Sequence, residues 1–175
     1  LGEGGFRLGF SVLSALAITL LVLAWRAAPP TPLWALPPEA RWVLAGLMLP
    51  GFWLFAASVL SPNPTSLGQP LDGAVRGVQR ITRHPMLWSF AIWAAVHIAA
   101  KGSLEGVLFF GAFLLTSLAG MPSIDAKLRA RDPAGFAALA ARTGIIPFAA
   151  APVEWREIPA RIWLAGLAAW ALTLW

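Results

Sequence analysis

Apolar residues run in long uninterrupted blocks along this chain, not in the one-sided or alternating patterns of soluble elements. Charge-free runs cover Leu8–Trp25 (18 residues), Trp42–Leu60 (19), Met86–Ala100 (15), Gly106–Ile124 (19) and Ile162–Trp175 (14). About 20 helical residues cross a bilayer. Three runs reach that length unaided, and the two shorter ones can borrow flanking residues. Backbone groups in lipid must pair within their own segment, so the runs predict helices. No ten-residue alternation suggests a barrel. Pro50 and Pro122 fall inside runs and predict kinks. The expected fold is an all-α, polytopic transmembrane bundle, one domain over residues 1–175, with five visible spans.

The polar segments between the runs have their own signals. Pro29–Pro38 reads as an extended connector, and Ser61–Gln69 opens a longer loop. Asp132 suits a helix N-cap and Pro133 the first helical position. Gly144 is placed to close that helix in a left-handed conformation. Between them Phe136, Leu139 and Ala140 share a face, which predicts a short interfacial helix over Ala134–Thr143. Ile145–Phe148 would then return toward the membrane.

Composition agrees with the pattern. Hydrophobic types make up 58% and charged types 12%, against about half and a quarter in a soluble domain. Mean hydropathy is +0.71. A disordered chain is excluded and a soluble domain disfavoured. When the loops are assigned alternately to two sides, ten of the thirteen Lys and Arg residues fall on one side. The positive-inside rule makes that side cytoplasmic. It holds the chain start and the loops at 61–85 and 125–161, and it puts Trp175 in the periplasm of a bacterial inner membrane. The net charge of +5 then belongs to topology and not to nucleic-acid binding. Cys and Tyr are absent, so the 10 Trp must form the interfacial belt. The opening Leu1-Gly2-Glu3 has no initiator Met and does not resemble a signal peptide, which predicts a missing N-terminal segment.

Two histidines carry most of the candidate chemistry. His84 and His97 are 13 positions apart, roughly 20 Å along one helix, so they cannot share a metal ion. His97 is the only ionisable side chain inside its run, a placement that is functional by default in a membrane. Ala94 would leave a hollow beside it and Trp93 a flat wall, which suits a planar macrocycle on an axial histidine. A neutral histidine bonded to a neighbouring helix, or one reaching for the interface, fits the same residues. His84 stands in Arg83-His84-Pro85 at the mouth of that helix. With Arg76 and Arg80 it forms a basic approach that could hold lipid phosphate, propionate or another anionic cofactor group. A positive-inside anchor before a helix start explains it equally. Of the carboxylates, Asp72 and Asp125 have no sequence-local partner for acid–base work. No phosphate loop, serine elbow or zinc motif is present, and no catalytic residue can be assigned.

Ile81-Thr82-Arg83-His84-Pro85-Met86 and Trp93-Ala94-Ala95-Val96-His97 resemble the core of the NnrU family. So do Asp125-Ala126-Lys127-Leu128, Arg142-Thr143-Gly144-Ile145-Ile146-Pro147-Phe148 and the opening Leu1-Gly2-Glu3. The resemblance spans nearly the whole chain. It includes plant and cyanobacterial zeta-carotene isomerases and bacterial members tied to denitrification and nitric oxide metabolism. It implies heme b with His97 as an iron ligand, and an apolar polyene as substrate in the isomerases. It also implies a sixth helix upstream, ending in a His-Ser motif that supplies the other ligand. Arg83-His84-Pro85 with the later Gly-Phe-Ala-Ala-Leu segment is similar, more distantly, to isoprenylcysteine and phospholipid methyltransferases that use S-adenosylmethionine. This chain lacks their tyrosine and paired glutamates. The expectation is a heme-associated membrane protein. The alternatives are a methyltransferase-like protein and a non-catalytic subunit of a membrane complex that packs through Ala165, Gly166 and Ala169.

Overall fold

The computed structural model describes residues 2–63, 65, 71, 75–150 and 152–174. Leu1, Asp72, Trp175 and most of the expected loop Ser61–Gln69 lie outside the described residues. The helices are α1 (Glu3–Ala27), α2 (Ala40–Leu60), α3 (Val78–Ile81), α4 (Pro85–Lys101), α5 (Leu104–Arg131), α6 (Pro133–Ala140) and α7 (Ala160–Ala171). One 3₁₀ turn spans Trp155–Glu157. No strand occurs among the described residues.

Each charge-free run lies largely within a helix, and three of these helices are long enough to span unaided, as the run lengths predict. Among the described residues, these are α1, α2 and α5. At 1.5 Å per residue, α4 rises about 25 Å and α7 about 18 Å, both short of the roughly 30 Å hydrocarbon layer. Helix α5 runs past its charge-free core through Asp125, Lys127, Arg129 and Arg131. Pro50 and Pro122 both sit inside helices, α2 and α5.

Hydrogen bonds fix which loops share an end of the bundle. At one end the connector after α1 is laid against the α4–α5 turn. Leu33 and Trp34 donate their amides to the Gly102 carbonyl, and the Thr31 amide donates to Glu105 Oε2. Gly102 closes α4 at φ +58°, a conformation that favours glycine. At the other end the segment after α6 is tied to the start of α4. Arg83 donates to the Gly144 carbonyl and Phe148 to the Ile81 carbonyl.

The packing core is α2, α4, α5 and α7. Gly166 of α7 faces Trp53 so closely that a Cβ would overlap the indole. Gly166, one of the small residues named in the membrane-subunit alternative, thus packs within the chain. Asp132 caps α6 as expected, accepting the Gly135 amide at 2.9 Å. Phe136 and Leu139 are buried against Leu128 of α5. The expected role of Gly144 is corrected: α6 stops at Ala140, and Gly144 is not left-handed. Its carbonyl serves Arg83 instead.

Candidate functional site

The α4 mouth is a buried ionic lock. Pro85 occupies the first position of α4, and His84 immediately precedes it. This places Arg83 and His84 against α5, where Asp125 projects from the polar extension. Arg83 Nε donates to both carboxylate oxygens at 3.0 Å, and Nη2 donates to Oδ2 at 2.6 Å. Nη1 reaches the Thr143 carbonyl at 2.8 Å. His84 Nε2 lies 2.9 Å from Asp125 Oδ1. An ionised carboxylate only accepts, so Nε2 carries the proton and Nδ1 holds the lone pair. His84 is 1% exposed, and Nδ1 has no partner among the described residues.

Burial pushes the His84 pKa below its ordinary value, and Asp125 opposes this only in part. The neutral form follows physically. Arg83 already balances Asp125, so a second buried cation would repel it. Thr82 and Thr65 complete the fit. Thr82 Oγ1 donates to the Ile145 carbonyl at 2.8 Å, and Thr65 Oγ1 donates to the Arg83 carbonyl.

The three arginines of the expected basic approach do not converge. Arg83 faces Asp125. Arg80 pairs with Glu157 at 3.0 Å on the surface. That pairing and the Gly77 amide hold the Glu157 carboxyl below its ordinary range. Arg76 is exposed and lines a separate small cleft.

His97 is in a different setting. It is half-buried on α4, and its Nδ1 lies 2.8 Å from the Trp93 carbonyl. A carbonyl cannot donate, so Nδ1 carries a proton, and in the neutral ring Nε2 is the nitrogen with the lone pair. No described residue bonds Nε2. The ring is flanked by Trp93 and Phe110, each with centroids 4.9 Å away. Ala94 is fully buried with Phe109 and Phe110. The open space near His97 therefore lies on the Trp93, Val96 and Ala100 side. There a cleft of about 600 Å³ opens between α2, α4 and the end of α7.

Two other residues of this cleft were not legible in the sequence. Arg41 and Met48, both on α2, line it with His97. Arg41 read as a loop cation and Met48 as one apolar residue in a run. Only the approach of α2 to α4 brings them to the histidine. No group of three metal-ligating side chains occurs among the described residues.

A family model described as NnrU protein matches residues 1–175. No curated protein and no solved structure matches the chain.

Proposed function

The chain belongs to the NnrU family, and from that premise we propose that it is a membrane-embedded heme protein with His97 as an iron ligand. One observation carries the reading. The Trp93 carbonyl fixes the imidazole as the tautomer whose free Nε2 belongs to a cleft-lining residue. Metal-ligating histidines are commonly held this way, with the second ring nitrogen donating to a backbone carbonyl.

The residues present fit a porphyrin. The cleft volume lies within the usual range for small-molecule sites. Trp93 and Phe52 give apolar walls, and Arg41 stands among the lining residues as a partner for a propionate. Heme, when bound, supplies a one-electron or Lewis-acidic iron centre, the chemistry that polyene isomerisation or nitric oxide handling requires. The chain's own work is to orient the ligating nitrogen and to keep the site apolar. In this reading α4 and α7 complete a five-helix membrane bundle, and the end holding residues 125–161 faces the cytoplasm.

The test is an optical spectrum of the full-length protein. A Soret band that moves on dithionite addition is expected. His97→Ala should abolish or shift it. His84→Asn, which keeps a donor beside Asp125, should retain it. A wild-type band in His97→Ala, or no band in the wild type, overturns the reading.

A further inference from the structure

Two clefts away from His97 lie side by side near the α4 mouth and share the lining residues Val78, Ile158 and Ile162. The outer one, about 200 Å³, is lined by Arg76, Arg161 and Glu157 beside Ser61, at the terminus of α2. Glu157 is already taken by Arg80 and the Gly77 amide. Arg76 and Arg161 are both exposed and make no ion pair among the described residues. The cleft therefore carries net positive charge.

The inner cavity, about 330 Å³, adjoins it at those shared residues. It reaches Pro50, eleven residues before Ser61 on α2, which is about 16 Å along the helix. Trp53, Trp88, Trp155 and Trp163 wall it. The Trp53 and Trp88 indole N–H groups donate away, to the carbonyls of Trp163 and Ile145. What they leave for the cavity is an almost wholly apolar surface. Phe148 lines the same cavity at φ +65°, an unusual backbone state for a bulky residue, and its amide is held by the Ile81 carbonyl.

We propose that these two spaces form one head-and-tail site for an anionic phospholipid, with its phosphate between Arg76 and Arg161 and one acyl chain in the tryptophan-walled cavity. The charge selects the headgroup, since guanidiniums bind phosphate through forked hydrogen bonds. The apolar continuation runs along α2 away from its end, the direction in which a lipid chain enters a bilayer. A free anion would use the outer cleft alone and leave the cavity without purpose.

Brominated acyl chains quench indole fluorescence, and the cavity wall supplies the indoles. The full-length protein is placed in phosphatidylcholine vesicles containing a small fraction of brominated phosphatidylglycerol or, separately, brominated phosphatidylcholine. The anionic lipid should quench at least twice as strongly as the zwitterionic one at equal fraction. The exposed double variant Arg76→Gln/Arg161→Gln should remove that excess, while Arg26→Gln at the opposite end should keep it. Inorganic phosphate, compared with chloride at matched ionic strength, should compete poorly. Equal quenching by both headgroups in the wild type overturns the site. So does an excess that survives in the double variant. Full displacement by inorganic phosphate assigns the outer cleft to a free anion and equally rejects the lipid.

Discussion

His84 and His97 sit on one short stretch of chain, yet their surroundings have opposite logic. His84 is sealed, neutral and bound to a carboxylate that a buried arginine also grips. His97 is half-buried, faces a cleft and keeps its outer nitrogen free. The first arrangement holds helices together. The second leaves a ring nitrogen unpaired on a cleft-lining side chain. Residue type and helix location do not distinguish the two; the element packed opposite does. For His84 that element is the polar extension of α5; His97 packs on Phe110 of α5 and shares a cleft with the first turns of α2.

The sharpest way to break the contrast is at Asp125. Asp125→Ala leaves Arg83 buried and unpaired, a defect that costs about 3–5 kcal/mol. Thermal unfolding in detergent should show the loss, or the variant should fail to accumulate. In heme-free protein His97→Ala should unfold within about 2 kcal/mol of wild type, because a local hydrogen bond and the ring's contacts with Trp93 and Phe110 are lost from a half-buried site. Comparable destabilisation by the two substitutions would erase the distinction.

A second test uses acid. Burial lowers the His84 pKa beneath its ordinary 6.5. Below that value the unfolded chain binds a proton that the folded chain refuses, so stability should fall as pH drops. The loss should begin as the pH falls through about 6.5 and grow below it. Unfolding midpoints of wild type and His84→Gln should separate there, with the variant flatter. Parallel curves would place the pH response elsewhere.

The smallest effect is expected at the neighbouring surface pair. Arg80→Gln breaks an exposed contact to Glu157, and such pairs contribute about 1 kcal/mol or less. A larger loss would mean that the mouth behaves as one ionic network that includes Arg83.

The membrane helices were legible because uninterrupted apolar runs have few physical solutions. Helix ends were less so. The charge-free run Gly106–Ile124 marks the lipid-soluble part of α5, but the helix continues to Arg131 since charged residues are good helix formers outside lipid. Asp132 and Pro133 marked the start of α6 because a cap acts over three residues. The Gly144 closure failed because a contact 61 residues away in the chain, from the Arg83 amide, claims that backbone. Asp125 shows the same limit. It had no local partner in sequence, and 41 residues separate it from His84. His97 was legible as a lone ionisable group among apolar ones. Its companions Arg41 and Met48 were not, since nothing local ties α2 to α4.

The anchored connector has a consequence for the order in which the chain is made. Thr31 is tied to Glu105, 74 residues later, and Trp25 of α1 packs on Phe109 and Phe110 of α5 and under Lys101 at the end of α4. At roughly 5–20 residues per second, translation leaves several seconds between the two. During that interval the contacts that hold the connector at Ala99, Gly102 and Glu105 do not yet exist. Helix α1 must therefore be made well before the contacts that dock it, and its docking waits until the start of α5 emerges.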